Sequence, residues 1–212
     1  MYIPAHFSEN RPEELCRIMS EHPLGMLITH TQQGLDANHL PFEFDASKGP
    51  YGTLQAHIAR NNPLKNVPDD SEVLVVFRGV EAYISPNWYP SKHETHRQVP
   101  TWNYEVVHAH GRLRIIDDEK FIRGVVARLT RKHEASEPRP WKMGDAPLDY
   151  MDQMVSMVVG IEIEVLRLEG KRKLSQNREA RDIDGAVNAL QEKGHEDMAA
   201  LMKTTSSKIS AS

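Results

Sequence analysis

The sequence predicts a small antiparallel β-barrel with inserted helices, an α+β fold with a C-terminal helical extension. Segments of strand character follow one another with short turns such as "QQG" and "SKGP", which favours antiparallel pairing. No strand runs through a glycine-rich turn into a helix, so a doubly wound dinucleotide-binding sheet is not expected. Hydrophobic residues make up 39% and charged residues 26% of the 212 positions, which is typical of a globular chain.

The elements follow from hydrophobic periodicity. A first amphipathic helix begins near Pro12 and ends before Pro23 and Gly25. The predicted strands are "GMLITHT", "LDANHLPFEFD", "YGTLQAHIAR", "EVLVVFRGVEAYIS", "YEVVHAHGRLRII" and, after two helices, "VVGIEIEVLRLEG". Those helices are "DDEKFIRGVVARLTRKHE", with apolar residues at helical spacing, and the shorter "APLDYMDQMVSM".

The chain divides into a barrel domain over residues 1–177 and an extension over residues 178–212. The extension is predicted as a helical hairpin packed on the barrel or on a partner subunit. Its apolar positions are Ile183, Ala186, Val187 and Leu190, followed after Gly194 by Met198, Leu201 and Met202. The final "TTSSKISAS" has no apolar period and is predicted as an irregular, flexible end.

Charge, cysteine content and hydropathy limit the classes of protein to which this chain can belong. The formal net charge of −4 supplies no general attraction to nucleic acid, so DNA binding would need a local basic patch, for which "RLTRKHE" and "EGKRKLSQNREAR" are the candidates. The single cysteine, Cys16, excludes an intrachain disulfide, and the first residues lack the features of a secretion signal. No window is apolar enough for a membrane span, so we expect a cytoplasmic protein without membrane contact.

Polar donors gather in "LQAHIARNNPLK", where a strand meets a turn before Pro63. The planar guanidinium of Arg60 could hold two phosphate oxygens, with neighbouring Asn side chains as neutral donors. The alternative is a polar strand end whose side chains cap the turn. In "LDANHLPFEFD", strand alternation turns either Asn38 or His39 toward the core, but not both.

Aromatic residues and hydrogen-bonding groups are mixed in "AYISPNWYPSKHETHRQVPTWNYEVVHAHG". Such a mixture suits a flat polar heteroaromatic ligand such as a flavin, a haem or a base, although Trp102 and Tyr104 could equally pack on one strand face. His108 and His110 share a face and could reach a metal, but no cysteine or regular ligand spacing accompanies them. We therefore predict no metal site, and keep haem as a less favoured alternative. No nucleophile elbow is present.

Six segments together resemble the PaiB-type family of FMN-binding negative transcriptional regulators. They are "MYIPAHF", "NHLPFEF", "AHIARNNP", "AYISPNWY", "VPTWNYEVVHAHG" and "KLSQN", in this order between Met1 and Asn177. The resemblance implies an FMN-binding split β-barrel of the pyridoxamine phosphate oxidase-like superfamily. It further implies a homodimer in which each FMN lies in a groove built by both subunits.

The resemblance assigns site residues in three groups. One strand would line the flavin ring, and the next strand and turn would seat the ribityl chain and phosphate. A segment from the partner subunit would approach the ring, with Lys92 reaching toward the phosphate, and "KLSQN" would close over the flavin. The implied cofactor-binding residues are Asn38, His39, Leu40, Pro41, Gln55, Ala56, His57, Arg60, Asn61, Lys92, Val99, Pro100, Thr101, Trp102, Asn103, Lys173, Ser175, Gln176 and Asn177.

Two functions follow from this resemblance. The first is a flavin-binding regulator, acting on DNA through a basic groove to which Lys171, Arg172 and Lys173 contribute. The alternative is an FMN-dependent reductase or oxidase of a small molecule, for which no catalytic acid or base can be named. The basic run that binds phosphate in pyridoxamine phosphate oxidases is thinned here to "AHIARNN", so that substrate is not expected.

Overall fold

A computed structural model describes residues 1–209 of the chain. The strands are β1 (Ser8–Glu9), β2 (Leu24–Thr31), β3 (Gly34–Pro41), β4 (Glu43–Asp45), β5 (Thr53–Ala59), β6 (Ser71–Ile84), β7 (Thr101–Ile116) and β8 (Val158–Lys173). The helices are α1 (Pro12–Glu21), α2 (Pro90–Thr95), α3 (Glu119–Glu134), α4 (Leu148–Ser156), α5 (Ala180–Glu192) and α6 (Glu196–Ile209). None of these helices has the length and hydropathy to span a membrane.

The strands form a sheet in the order β3-β2-β6-β7-β8-β5-β4, with β1 paired to β8. The pairs β2–β3, β2–β6, β4–β5 and β5–β8 are antiparallel, and the consecutive pairs β2–β3 and β4–β5 are those that the short turns predict. The chain forms two compact units. Unit 1 contains residues 1–18, 78–107 and the chain from residue 169 onward, and unit 2 contains residues 19–77 and 108–168.

The core of unit 2 follows strand alternation. On β8, Ile161 and Ile163 are fully buried, whereas Glu164 between Ile163 and Val165 is exposed. Phe42 and Phe77 meet edge to face with ring centroids 5.9 Å apart. A side chain at Gly25 would lie within 3 Å of Phe42, Phe77 and Val75, so this packing requires glycine there.

Helix α3 begins where the sequence predicts. The Asp118 carboxylate accepts a hydrogen bond from the Phe121 backbone N–H at 2.7 Å, which satisfies one of the free donors of the first turn. Ile122, Val125 and Leu129 form its buried face. The 3.6-residue period is therefore confirmed as an amphipathic helix.

The C-terminal hairpin packs within unit 1. The four apolar positions predicted on α5, Ile183, Ala186, Val187 and Leu190, are all buried, together with Met198 and Met202 of α6. Ala82, Ile84 and Tyr89 belong to the same cluster. The division at residue 177 stays a prediction.

Three local features differ from the sequence-based expectation. The stretch 204–209 continues α6 instead of forming an irregular end, since it contains neither Gly nor Pro; the rest of that predicted tail lies outside the described residues. The 85–100 segment contains α2, and the cap of this helix comes from a residue far away in the sequence. The buried Asp182 carboxylate accepts hydrogen bonds from the Ser91 backbone N–H at 3.0 Å and from the Ser91 hydroxyl at 2.6 Å. β1 is too short for a periodic signal.

A buried ionic cluster ties the elements of unit 1 together. The Glu105 carboxylate is fully buried and accepts hydrogen bonds from Arg17 at 2.7 Å and Arg172 at 2.6 Å. Arg172 also lies 3.2 Å from Glu14 and 3.5 Å from Glu9. We refer to these five residues as the ionic cluster. Removing one partner of such a buried arrangement typically costs about 3–5 kcal/mol, because an uncompensated charge remains.

Glu9 makes stability depend on pH. Burial opposes its ionisation, but hydrogen bonds from Arg11 and the charges of Arg11 and Arg172 outweigh burial and lower the pKa of Glu9 from 4.5 to about 2. The ionised group thus stabilises the fold above the pKa of the unfolded chain, and this contribution is lost as pH falls from about 4.5 toward 2.

We expect Glu9→Gln to lower the free energy of unfolding at about pH 7, with the difference from wild type shrinking steadily below about pH 4.5. Urea denaturation at several pH values measures this difference. Glu13→Gln is the matched control, because Glu13 is exposed at the start of α1. A wild-type advantage over Glu9→Gln that stays constant with pH would contradict the assignment.

Candidate functional site

The predicted ring-lining strand β3 turns Asn38, and not His39, toward the interior. Asn38 is half-buried and Leu40 is buried, whereas His39 and Pro41 are exposed. The Asn62 amide donates to the Asn38 side-chain oxygen at 3.0 Å, and Asn38 donates to Asp36 at 3.1 Å. Asn62 is missing from the predicted binding residues. The sequence signal for Asn62 is its place among the polar donors of the turn before Pro63, where the Asn side chains are offered as neutral donors.

Strand β5 places its predicted residues on two faces. Ala56 faces the core and is fully buried, while Gln55 and His57 point to the opposite face. Both ends of the Gln55 amide are occupied: it accepts from Arg128 at 2.6 Å and donates to Glu162 at 2.7 Å. His57 Nδ1 is buried and has no hydrogen-bond partner within residues 1–209, and burial lowers the pKa of His57, which favours the neutral ring.

Arg60 forms an ion pair in this structure. Its guanidinium makes a two-pronged contact with Asp117, at 2.7 and 2.8 Å, just before α3. It also donates to the carbonyl oxygens of Ser156 at 2.7 Å and Val158 at 3.0 Å. The hydrogen bond with Asp117 raises the pKa of Arg60, and the same bond lowers the pKa of Asp117. Asn61, next to it, is exposed.

In unit 1, Lys173 contacts two other predicted residues, Thr101 and Trp102. Its ammonium group donates to the Thr101 hydroxyl and to the Trp102 carbonyl, the latter at 2.5 Å. Burial lowers the pKa of Lys173, and the charges of Lys171 and Arg178 act in the same direction. The Trp102 ring itself is 55% exposed.

Exposed aromatic and apolar groups surround Trp102. Tyr83 meets Trp102 and Trp88 edge to face, with ring centroids 6.2 and 6.4 Å apart. Val99 is 66% exposed, and its neighbour Pro100 is exposed as well. We call these five residues the aromatic surface of unit 1. Such a surface presents ring faces and edges for a flat ligand.

Asn103 and Ser175 lie in the interior of unit 1. The Asn103 amide donates to the Ser175 hydroxyl at 2.9 Å and to the Met202 sulfur at 3.3 Å, and the Tyr89 hydroxyl lies 3.2 Å from that of Ser175. Asn103 Oδ1 has no partner in the described part of the chain. In this conformation the two side chains hold β7 and the chain after β8 to α6.

The remaining predicted residues differ in their environment. Gln176 folds back on its own turn, accepting from the Leu174 N–H at 2.7 Å and donating to the Arg172 carbonyl at 2.5 Å. Lys92 is half-buried on α2, and Asn177 is exposed. The proposed cofactor roles of all these residues stay predictions.

The basic segment Lys171–Lys173 does not form the exposed patch predicted for DNA. Lys171 and Arg172 are each only 9% exposed. Arg172 belongs to the ionic cluster, while Lys171 donates to the Tyr2 carbonyl at 3.2 Å and lies 5.3 Å from the centre of the Tyr104 ring. The positive charges of this segment are therefore engaged in contacts within unit 1.

Comparison with known proteins identifies the family. Residues 1–167 match the family model described as "Putative FMN-binding domain". The chain belongs to this FMN-binding family. It is 31% identical to the protease synthase and sporulation protein PAI 2 of Bacillus subtilis, with 90% of this chain and 89% of that protein covered. It is also 31% identical to an uncharacterized protein of Emericella nidulans, with 92% of each chain covered.

Solved structures share the fold. The flavocytochrome Anf3 from Azotobacter vinelandii matches with a TM-score of 0.58 at 11% identity, covering 81% of this chain and 72% of that one. The FAD and heme binding protein from Mycobacterium smegmatis matches with a TM-score of 0.56 at 12% identity, covering 78% and 73%. These matches confirm the predicted antiparallel split β-barrel with inserted helices.

The side chains present fit the FMN of this family in two places. The aromatic surface, with Lys173 and Thr101 beside it, offers an apolar face and hydrogen-bond donors for an isoalloxazine ring. In unit 2, His57 Nδ1, which has no partner within residues 1–209, can accept or donate one hydrogen bond, depending on the tautomer. Arg60 retains one N–H beyond its four observed bonds, so a two-pronged contact with a phosphate would require exchange of its bonds to Asp117.

Proposed function

We propose that this protein is a homodimeric FMN-binding regulator of the cytoplasm. Membership of the FMN-binding family carries the cofactor part of the proposal. The regulatory part is supported by the 31% identity to the Bacillus subtilis protein named protease synthase and sporulation protein PAI 2. Because Lys171 and Arg172 are buried, DNA contact through residues 171–173 is not part of the proposal.

The phosphate of FMN is proposed to bind at Arg60. A phosphate offers the same pair of oxygens as a carboxylate and carries more negative charge, so it can replace Asp117 in the two-pronged contact. Arg60 and Asp117 are both substantially exposed, which keeps their ion pair weak and easily exchanged in water. When bound, FMN would supply the redox chemistry of the isoalloxazine ring.

The ring is proposed to lie on the aromatic surface of the partner subunit. Trp102 and Val99 are more than half exposed, which is costly for apolar groups unless something covers them. Lys173 lies beside Trp102 and would place a positive charge near the polar edge of the ring. Residues on β3 and β5 of the first subunit would complete the site.

Comparing FMN with riboflavin, which lacks the phosphate, tests Arg60. We expect Arg60→Ala to weaken FMN binding about 10- to 100-fold while leaving riboflavin binding nearly unchanged, because only the phosphate loses a charged hydrogen bond. Flavin fluorescence titration measures both affinities.

Asp117→Asn is the matched control for Arg60→Ala. It breaks the same ion pair and keeps the cation, so FMN should bind at least as tightly as in wild type. If Arg60 only supports the local structure, both variants will weaken both flavins alike, and the phosphate assignment is wrong.

The Trp102→Ala variant tests the ring position. Losing one aromatic contact should weaken FMN and riboflavin equally, about three- to tenfold, because both carry the same ring. Trp141→Ala, which removes a 41% exposed tryptophan of unit 2, should leave both affinities unchanged. A selective loss of FMN binding in Trp102→Ala would place the ring elsewhere.

Mixing the two variants tests the shared site. If Arg60 and Trp102 of one site come from different subunits, a heterodimer of Arg60→Ala and Trp102→Ala chains contains one intact site and one doubly impaired site. Titration of the mixture should therefore recover a class of sites with wild-type FMN affinity. Uniformly weak binding in a verified heterodimer would mean that one subunit supplies both groups.

A further inference from the structure

Two histidines stand side by side on the outer face of β7. Val107 and Ala109 are fully buried, so strand alternation directs His108 and His110 to the opposite face of the strand. Both imidazoles are half-buried. Their ring centroids lie 6.3 Å apart at an angle of 57°, and a nitrogen of each ring lies within 4.8 Å of a nitrogen of the other.

This spacing suits one shared metal ion. Imidazole nitrogens bind zinc at about 2.0–2.1 Å, so two of them on one ion lie about 3.3–4 Å apart, depending on the angle at the metal. Side-chain rotation would have to bring the two nitrogens, which lie within 4.8 Å of each other, to that distance. Imidazole is a preferred ligand of zinc, copper and nickel, whereas magnesium and calcium prefer oxygen. We propose that His108 and His110 bind a divalent transition metal ion, a site separate from the proposed FMN ligands.

The surroundings of His110 support ion binding. His110 lines a depression of about 230 Å³ together with His30 of β2 and Glu72 of β6. The depression opens to solvent beside the exposed Leu35, which gives an ion a route to the imidazoles. A third imidazole and a carboxylate on the neighbouring strands are of the types found in zinc sites.

The sequence predicts no metal here because its ligands follow no recognisable spacing. His30, Glu72 and the histidine pair are far apart in the chain and come from three strands. Pairing of β2 with β6, and the place of β7 beside β6, bring them to one face of unit 2. Strand pairing therefore assembles the candidate ligands.

Titration with Co²⁺ tests the proposal, because its visible absorption reports ligand type and coordination. We expect about one equivalent to bind saturably, with a Kd on the order of 10 μM or below, and Zn²⁺ to displace it. His108→Gln and His110→Gln should each weaken binding at least about tenfold. His133→Gln, which changes an exposed histidine of the same unit on α3, should bind Co²⁺ as wild type does.

Thermal unfolding supplies a second readout. A metal that binds only the folded chain raises the melting temperature with its concentration, and this rise should vanish in both substituted proteins while their metal-free melting temperatures stay near wild type. Unaltered FMN binding by these variants would show that they retain the fold. The proposal is overturned by unsaturable binding, by equal binding in the variants, or by haem uptake at this pair without Co²⁺ binding.

Discussion

The alternation of side chains along the long strands controls where the polar groups of this protein lie. On β7, the inward positions of unit 2 are Ala109, Gly111 and Leu113, so His108 and His110 have no place except the outer face. On β5 the same rule buries Ala56 and sends Gln55 and His57 to the other face. A shift of register by one residue would exchange these sets and place polar side chains in the core.

Charge pairing governs unit 1 in a comparable way. The fully buried Glu105 is tolerated because two guanidinium groups approach it from α1 and β8. This requirement draws Arg172 inward and separates it from the lysines on either side of it in the chain. Lys171 and Lys173 instead contact Tyr2, Tyr104 and the Thr101–Trp102 backbone and side chain. The three consecutive cations at residues 171–173 thus stabilise the fold and contribute little to the basic surface.

The proposed flavin site combines exposed groups with groups that already have hydrogen-bond or ion-pair partners within the chain. Trp102 and Val99 present exposed apolar surface, which fits a role in binding. Arg60 is committed to Asp117, so binding there would be an exchange of anions rather than capture by a free cation. Asn103 and Ser175 are buried. Their side chains are hydrogen-bonded to each other, and the Asn103 amide also donates to the Met202 sulfur.

The sequence by itself determined the order of the longer strands and helices, the amphipathic faces of α3 and α5, and the split-barrel family. These properties depend on local periodicity and on motifs in short segments, so they can be predicted from the sequence. Only the tertiary structure decided that Asn38 faces inward, that Arg60 meets Asp117, that Lys171 and Arg172 are buried, and that Asp182 caps α2. Each of these depends on a partner distant in the chain, and burial and charge pairing between distant residues have no signature in local spacing.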